Sequence, residues 1–251
     1  MSFSIGRGEF VSILGPSGCG KSTVLQLVAG LEKPNSGEVL WNNYQIVGPA
    51  PERGIVFQVP KLFPWATVRS NVEWGLRMRG ITASDRMRIS TEMLSNVGLL
   101  AWANRYVKEL SGGMRQRVAI ARTLANECDL ILMDEPFVGL DVQTRMLMQR
   151  FIVSIWSQMQ KTVLLVTHSI DEALMADRVI VFSRRPARIL EDLSLDLPRP
   201  RDIQAPEFIS LRSTLTRLIE AEVMDEASEN GSWDTAAHAS PVWKSDTHPD
   251  E

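Results

Sequence analysis

Short apolar runs alternate along this chain with longer stretches in which apolar residues recur every three or four positions. Residues 10–14, 130–133, 162–167 and 178–182 are runs of the first kind. Their continuous apolar character predicts strands buried on both faces. Residues 21–29 and 142–160 are of the second kind and predict helices, the latter through Met148, Ile152, Ile155 and Met159. Strands alternating with helices imply a parallel sheet covered on both faces. In such sheets the active groups lie at the C-terminal ends of the strands.

The middle of the chain follows a different pattern. Residues 37–42 and 54–57 are short strand candidates separated by a loop rich in Pro, Gly and Asn. Residues 60–65 contain two prolines and three large apolar side chains, and predict an irregular loop. From there the periodicity is helical. Thr67 is placed to cap a helix ending near Arg79, residues 84–96 form a second amphipathic stretch, and a third helix runs from about Gly112 to Ala125. Residues 67–125 therefore read as an all-helical subdomain inserted into an α/β core made of residues 1–66 and 126–200. Asp141 is placed to cap the 142–160 helix, and Ser169 with Glu172 forms a capping-box pattern. Residues 184–202, rich in Arg and Pro, read as a surface connector. Residues 201–224 hold an amphipathic C-terminal helix, and 225–251 have the composition of a disordered tail.

Composition narrows the picture modestly. With 251 residues, 44% hydrophobic and 23% charged, the chain has material for one substantial α/β domain and a smaller lobe. A net charge of −3 supplies no global basic field, so no nucleic-acid partner is expected. Cys19 and Cys128 form no C-x-x-C pair and predict neither a disulfide nor zinc. No apolar run approaches the roughly 20 residues that cross a bilayer. Any membrane role then requires a membrane partner.

The chemistry begins at Gly15-Pro16-Ser17-Gly18-Cys19-Gly20-Lys21-Ser22-Thr23. This is G-x-x-x-x-G-K-[ST] between a predicted strand and a predicted helix, the context a phosphate-binding loop needs. Glycines let successive backbone N–H groups curl around an anion, and the helix aims its positive end at it. Lys21 can reach β- and γ-phosphates, and the Ser22 hydroxyl can bind Mg²⁺. A plain glycine turn would explain the glycines but neither the lysine nor the flanks. By itself the loop implies a nucleoside triphosphate.

Leu110-Ser111-Gly112-Gly113-Met114-Arg115-Gln116-Arg117 adds a second anion-type turn opening a helix. Read alone, it is equally a helix cap. Together with the loop, this turn resembles the ATP-binding cassette family, whose signature is LSGGQ. The resemblance spans nearly all of residues 3–200. Gln58 matches the Q-loop, residues 130–136 (LILMDEP) the Walker B strand, Gly139-Leu140-Asp141 the D-loop and His168 the switch histidine. The fold it implies is the P-loop nucleotidase core with a parallel sheet and an inserted helical subdomain. The N-terminal strands of that fold are apparently missing, since only fourteen residues precede Gly15. They would carry the aromatic residue that stacks on adenine. Either the sequence is a fragment or starts late, or the chain stacks adenine otherwise; stacking is worth roughly 1–3 kcal/mol, so its loss would weaken affinity about 5- to 150-fold.

The resemblance also implies roles. ATP and Mg²⁺ are the cofactors. Ser22 and Asp134 would hold the metal, with Gln58 touching it or its water. Glu135 would be the general base, and His168 would sense the γ-phosphate. Ser111, Gly112, Gly113 and Asp141 would act in trans on the nucleotide of a second ATPase subunit, a homodimer partner. Residues 63–72 and the Arg/Pro stretch from Ser183 to Arg201 look like the nitrate/sulfonate/taurine importer subgroup. An importer's ATPase would sit peripherally on the cytoplasmic face of the inner (plasma) membrane, bound to an integral permease. Through it the subunit would serve a periplasmic or lipoprotein solute-binding protein. The alternatives are a soluble cassette ATPase without transport and a truncated module with impaired hydrolysis.

Overall fold

The structure is a computed structural model that describes residues 1–229. In chain order the elements begin with β1 (Phe10–Leu14), α1 (Lys21–Ala29), β2 (Leu40–Trp41), β3 (Tyr44–Gln45) and β4 (Arg53–Val56). Three helices follow: α2 (Val68–Met78), α3 (Ala83–Asn96) and α4 (Gly112–Ala125). Then come β5 (Leu130–Asp134), α5 (Val142–Met159), β6 (Thr162–Thr167) and a short α6 (Ile170–Ala173). The chain closes with β7 (Arg178–Phe182), β8 (Ile189–Ser194) and α7 (Pro206–Glu229).

Among the described residues, six strands form one sheet in the order β4-β5-β6-β1-β7-β8. All neighbours are parallel except β7 and β8. Every residue of β1 and β6 is buried, as is β5 up to Asp134. Successive side chains point to opposite faces of a strand. Phe10, Ile131, Met133, Val163 and Leu165 therefore enter one apolar cluster, while Val11, Ile13, Leu130, Leu132, Leu164 and Val166 enter another around α1. The first cluster continues without a break into α2 and α4 through Val68, Val72, Leu76, Val118 and Leu124. The helices thus sit on the sheet rather than hang from it. Each fully buried Leu or Val there contributes about 1.5–3 kcal/mol.

The helical starts follow from local chemistry. Thr67, Thr82, Ser111 and Asp141 each accept a hydrogen bond from the backbone N–H three residues on, which satisfies a donor the helix cannot. Gly30 closes α1 at φ 77°, in the left-handed region.

Several sequence expectations need correction. The stretch 184–202 is not only connector: β8 pairs antiparallel with β7 as an edge strand. Its Leu190 and Leu193 pack on the sheet, but flanking Arg and Pro hid so short an alternation. The strand expected over 37–42 shrinks to β2, which turns through Asn42 and Asn43 at φ 50° and 67° into β3. Two consecutive positive φ values are what a tight hairpin of this hand requires. Met159 is exposed, so the apolar stripe of α5 ends a turn early. Phe3, which by the family resemblance falls where a core strand residue is expected, lies in no strand and packs edge-on against Phe182 at 6.5 Å. Residues 225–229 continue α7, Glu and Ala favouring helix, rather than starting a tail. The remainder of the expected tail lies outside the described residues.

Candidate active site at the strand ends

The phosphate loop joins β1 to α1. Gly20 is the N-cap of α1 at φ 108°, a backbone that a side chain would strain. Gly15, Pro16, Cys19 and Lys21 are buried, Gly20 and Ser22 half-buried, and Ser17, Gly18 and Thr23 exposed. The Lys21 Nζ donates to Gly15 O at 2.8 Å and Pro16 O at 2.7 Å. The ammonium is folded back onto its own loop, and an incoming phosphate would have to replace both carbonyls.

β5 delivers the acidic pair. The Ser22 hydroxyl donates to Asp134 Oδ1 at 2.9 Å, so these two oxygens from α1 and β5 share one point in space. Burial pushes the Asp134 carboxyl up from its ordinary value, and Glu135 adds to that. The Ser22 hydroxyl and the Lys21 charge oppose it. A cation placed here would relieve that burial of charge. Hard oxygens in small number suit Mg²⁺, which keeps most of its ligands as water and phosphate. The residues present fit that ion.

Glu135 follows at φ 44°, a left-handed backbone unusual for a side chain of this size. Its N–H still joins the sheet by donating to Val166 O at 2.9 Å, so β6 holds the strained residue in place. The strain turns the carboxylate across the strand ends. There Gln58 Nε2 donates to Oε2 at 3.0 Å, and His168 Nδ1 lies 3.0 Å from Oε1. Gln58, from the end of β4, and His168, from the end of β6, are both exposed, while the Glu135 side chain is 14% exposed. Strands β4, β5 and β6 are adjacent, and this adjacency brings together three residues spread over more than a hundred positions.

Behind His168 the capping-box pattern of Ser169 and Glu172 gives way to a different pair. Glu172 does not return to the Ser169 N–H as a capping box would. Its Oε2 accepts from the Thr167 hydroxyl at 2.6 Å, and Ser169 N donates to the same hydroxyl at 3.0 Å. The carboxylate is buried, which raises its pKa despite the Thr167 hydrogen bond. The signal available in sequence was a Thr immediately before His168, competing for the same glutamate. Gln116 was also passed over, and only its burial in α4 singles it out.

The signature turn stands apart from this cluster. Ser111 and Gly112 are exposed and Gly113 half-buried. Ser111 Oγ accepts from Met114 N at 3.2 Å. A Cβ at Gly113 would meet Gly139 O at 3.2 Å, so the turn abuts the 139–141 segment. Asp141 is exposed, and its carboxyl is lowered by accepting the Thr144 N–H. Within one chain, the hydrogen bonds of Ser111 and Asp141 go to their own helices.

A phosphate-loop sequence joining a strand to a helix, a Ser–Asp oxygen pair and a strand-end glutamate define a P-loop nucleoside triphosphatase. The family profile described as "ABC transporter" matches residues 1–138. The chain belongs to the ABC transporter family as an ATP-binding cassette, and it is an ATPase. It is 45% identical over 225 residues to an uncharacterized ABC transporter ATP-binding protein of Methanocaldococcus jannaschii, covering 89% of this chain and 84% of that one. It is 41% identical to the nitrate import ATP-binding protein NrtD of Synechocystis, over 90% and 89% of the two chains. Identity is 44% to the taurine import ATP-binding protein TauB of Roseobacter denitrificans, over 89% and 88%. Among solved structures, a dimeric ATP-binding cassette in a post-hydrolysis state bound to ADP and Pi matches with a TM-score of 0.69 and 34% identity. That match covers 77% of this chain and 88% of the other.

Proposed function

We propose that the chain is the ATP-hydrolysing subunit of an importer for a small anion such as nitrate, a sulfonate or taurine. The observation that carries the reading is Glu135, strained and held between Gln58 and His168 beside the Ser22–Asp134 pair. The nitrate and taurine relatives support the importer class. Lys21 gives up its loop carbonyls to hold the β- and γ-phosphates. Ser22 and Asp134 hold Mg²⁺, with Gln58 alongside, and the ion when bound neutralises charge on the phosphates. Glu135 takes the proton of the attacking water, and Gln58 orients the carboxylate. His168 exchanges its contact with Glu135 for the γ-phosphate.

Ser111, Gly112, Gly113 and Asp141 serve the nucleotide of a second copy, which accounts for the exposure of Ser111, Gly112 and Asp141. A dimeric structural relative supports this arrangement. None of the described helices is long and apolar enough to cross a membrane; the nitrate and taurine import relatives support work through an integral permease. The subunit then sits peripherally on the cytoplasmic face. An exposed aromatic group offers a docking point: Phe63 lies 4.5 Å from Trp74 and 5.5 Å from Trp65, which is 70% exposed. Purified protein should release phosphate from ATP. Glu135→Gln with ATP should run as a dimer on size exclusion while the nucleotide-free protein runs as a monomer. A monomer in both conditions would refute the two-copy site.

A further inference from the structure

Among the described residues, β4 is an edge strand, bonded in the sheet to β5 alone. Carbonyls that alternate along such a strand point outward and need other partners. α4 supplies one from one side at Ile55, and goes on to hold Phe57 just past the strand and Lys61 in the loop beyond. Thr123 Oγ1 donates to Ile55 O at 3.1 Å, Gln116 Nε2 to Phe57 O at 3.2 Å, and Arg122 Nη1 to Lys61 O at 2.7 Å. Gln116 and Thr123 are seven residues apart, two turns along one helix face. The middle bond differs from the others in where it leads. Phe57 immediately precedes Gln58, whose amide touches Glu135 at 3.0 Å.

Gln116 is also the least comfortable of the three. It is 2% exposed, and its Oε1, equally buried, accepts no hydrogen bond among the described residues. Phe57 O can only accept, so the amide must turn its nitrogen inward and leave the oxygen orphaned. A buried orphan acceptor is costly, and a Leu or Met would fill the same space without one. Packing therefore does not account for glutamine here.

We propose that Gln116 is a positioning residue, its amide holding the Phe57 carbonyl and so setting Gln58 against Glu135. This rests on the roles proposed for Gln58 and Glu135. The consequence is a short path across the molecule. α4 opens at Ser111, the turn assigned to the partner's nucleotide, and five residues later grips the chain just past β4, next to Gln58. Engagement of one nucleotide then adjusts the base that acts on the other.

The test is steady-state ATP hydrolysis by the full chain carrying Gln116→Met, Gln58→Ala, both together, or Thr123→Val. Binding of a non-hydrolysable ATP analogue and Tm are measured alongside. Gln116→Met should lower kcat about 3- to 30-fold with analogue affinity unchanged. In the Gln58→Ala background it should cost no further activity, within about twofold. Thr123→Val removes a like bond two residues further from Gln58, and should lower Tm while leaving kcat near the parent. Losses at Gln116 and Gln58 that multiply, or Thr123→Val slowing turnover as much as Gln116→Met, would overturn the positioning role alone. A Gln58→Ala protein with parental turnover would instead remove Gln58 from the reaction, and the tie with it. Should Gln116→Met not accumulate as folded protein, Gln116→Asn is read the same way, since it keeps the amide but withdraws it by one methylene.

Discussion

At the strand ends, Glu135 is gripped from both sides, Lys21 donates to carbonyls of its own loop, and Ser22 is bonded to Asp134. At Ser111 and Asp141 nothing comparable exists: each side chain bonds a backbone N–H of the helix it opens. One region is a finished polar network made from four strand ends. The other consists of two exposed helix starts whose side chains a ligand could recruit at small cost. On the proposed roles, the difference is that between a catalytic half, already bonded within one chain, and a complementary half left for a second copy.

The sharpest way to break that comparison is at the base. Glu135→Gln should keep ATP binding and lose roughly 10²–10⁴ in turnover, and phosphate release at the parental rate would dismiss Glu135 from the reaction. Next comes the exposed half. Ser111→Arg should cost roughly 10² in turnover, as for loss of one stabilising donor, while ATP binding by the monomer is untouched. Mixing Ser111→Arg with Lys21→Ala, each inactive alone, should restore part of the activity, because one of the two seams in a mixed dimer is intact. No recovery on mixing would argue that both halves serve the same chain's nucleotide.

A smaller effect is expected behind His168. Thr167→Val removes the hydroxyl shared by Glu172 and the Ser169 N–H, and should slow turnover roughly fivefold, about one hydrogen bond's worth. Glu172→Gln, which can still accept from Thr167, should slow it less. Equal losses in the two would mean that the charge of Glu172 matters rather than its grip on Thr167. The smallest effect lies away from both halves, on the β7–β8 edge. The Arg178 hydrogen bonds hold the Asp192 carboxyl below its usual range. The pair's stabilisation is thus complete above the unfolded carboxylate pKa, about 3.9, and is lost as pH falls through the folded value. Asp192 is 37% exposed, so screening limits the contribution to about 1 kcal/mol or less. Asp192→Asn should lower Tm slightly at neutral pH, lose that difference in acid, and leave turnover alone.

Much of this molecule can be read from its residues. Continuous apolar runs mark β1, β5, β6 and β7 because strands buried on both faces admit little else, and the glycine loop, Asp134-Glu135 and His168 stand at their predicted ends. Edge elements were less legible. β8 and the β2–β3 hairpin are short and half-solvated, so their patterns are weak and their flanks dominate. What only the tertiary structure decides is who touches whom. Sequence places Gln58, Glu135 and His168 each after a strand. The order in which the strands lie puts all three within one carboxylate's reach. Glu172 bonds to Thr167 rather than to the cap, and Gln116 holds a carbonyl just past an edge strand, for the same reason. Polar groups left without a partner by sheet and helix take whatever side chain packing brings near, and packing is not written in any local stretch of the chain.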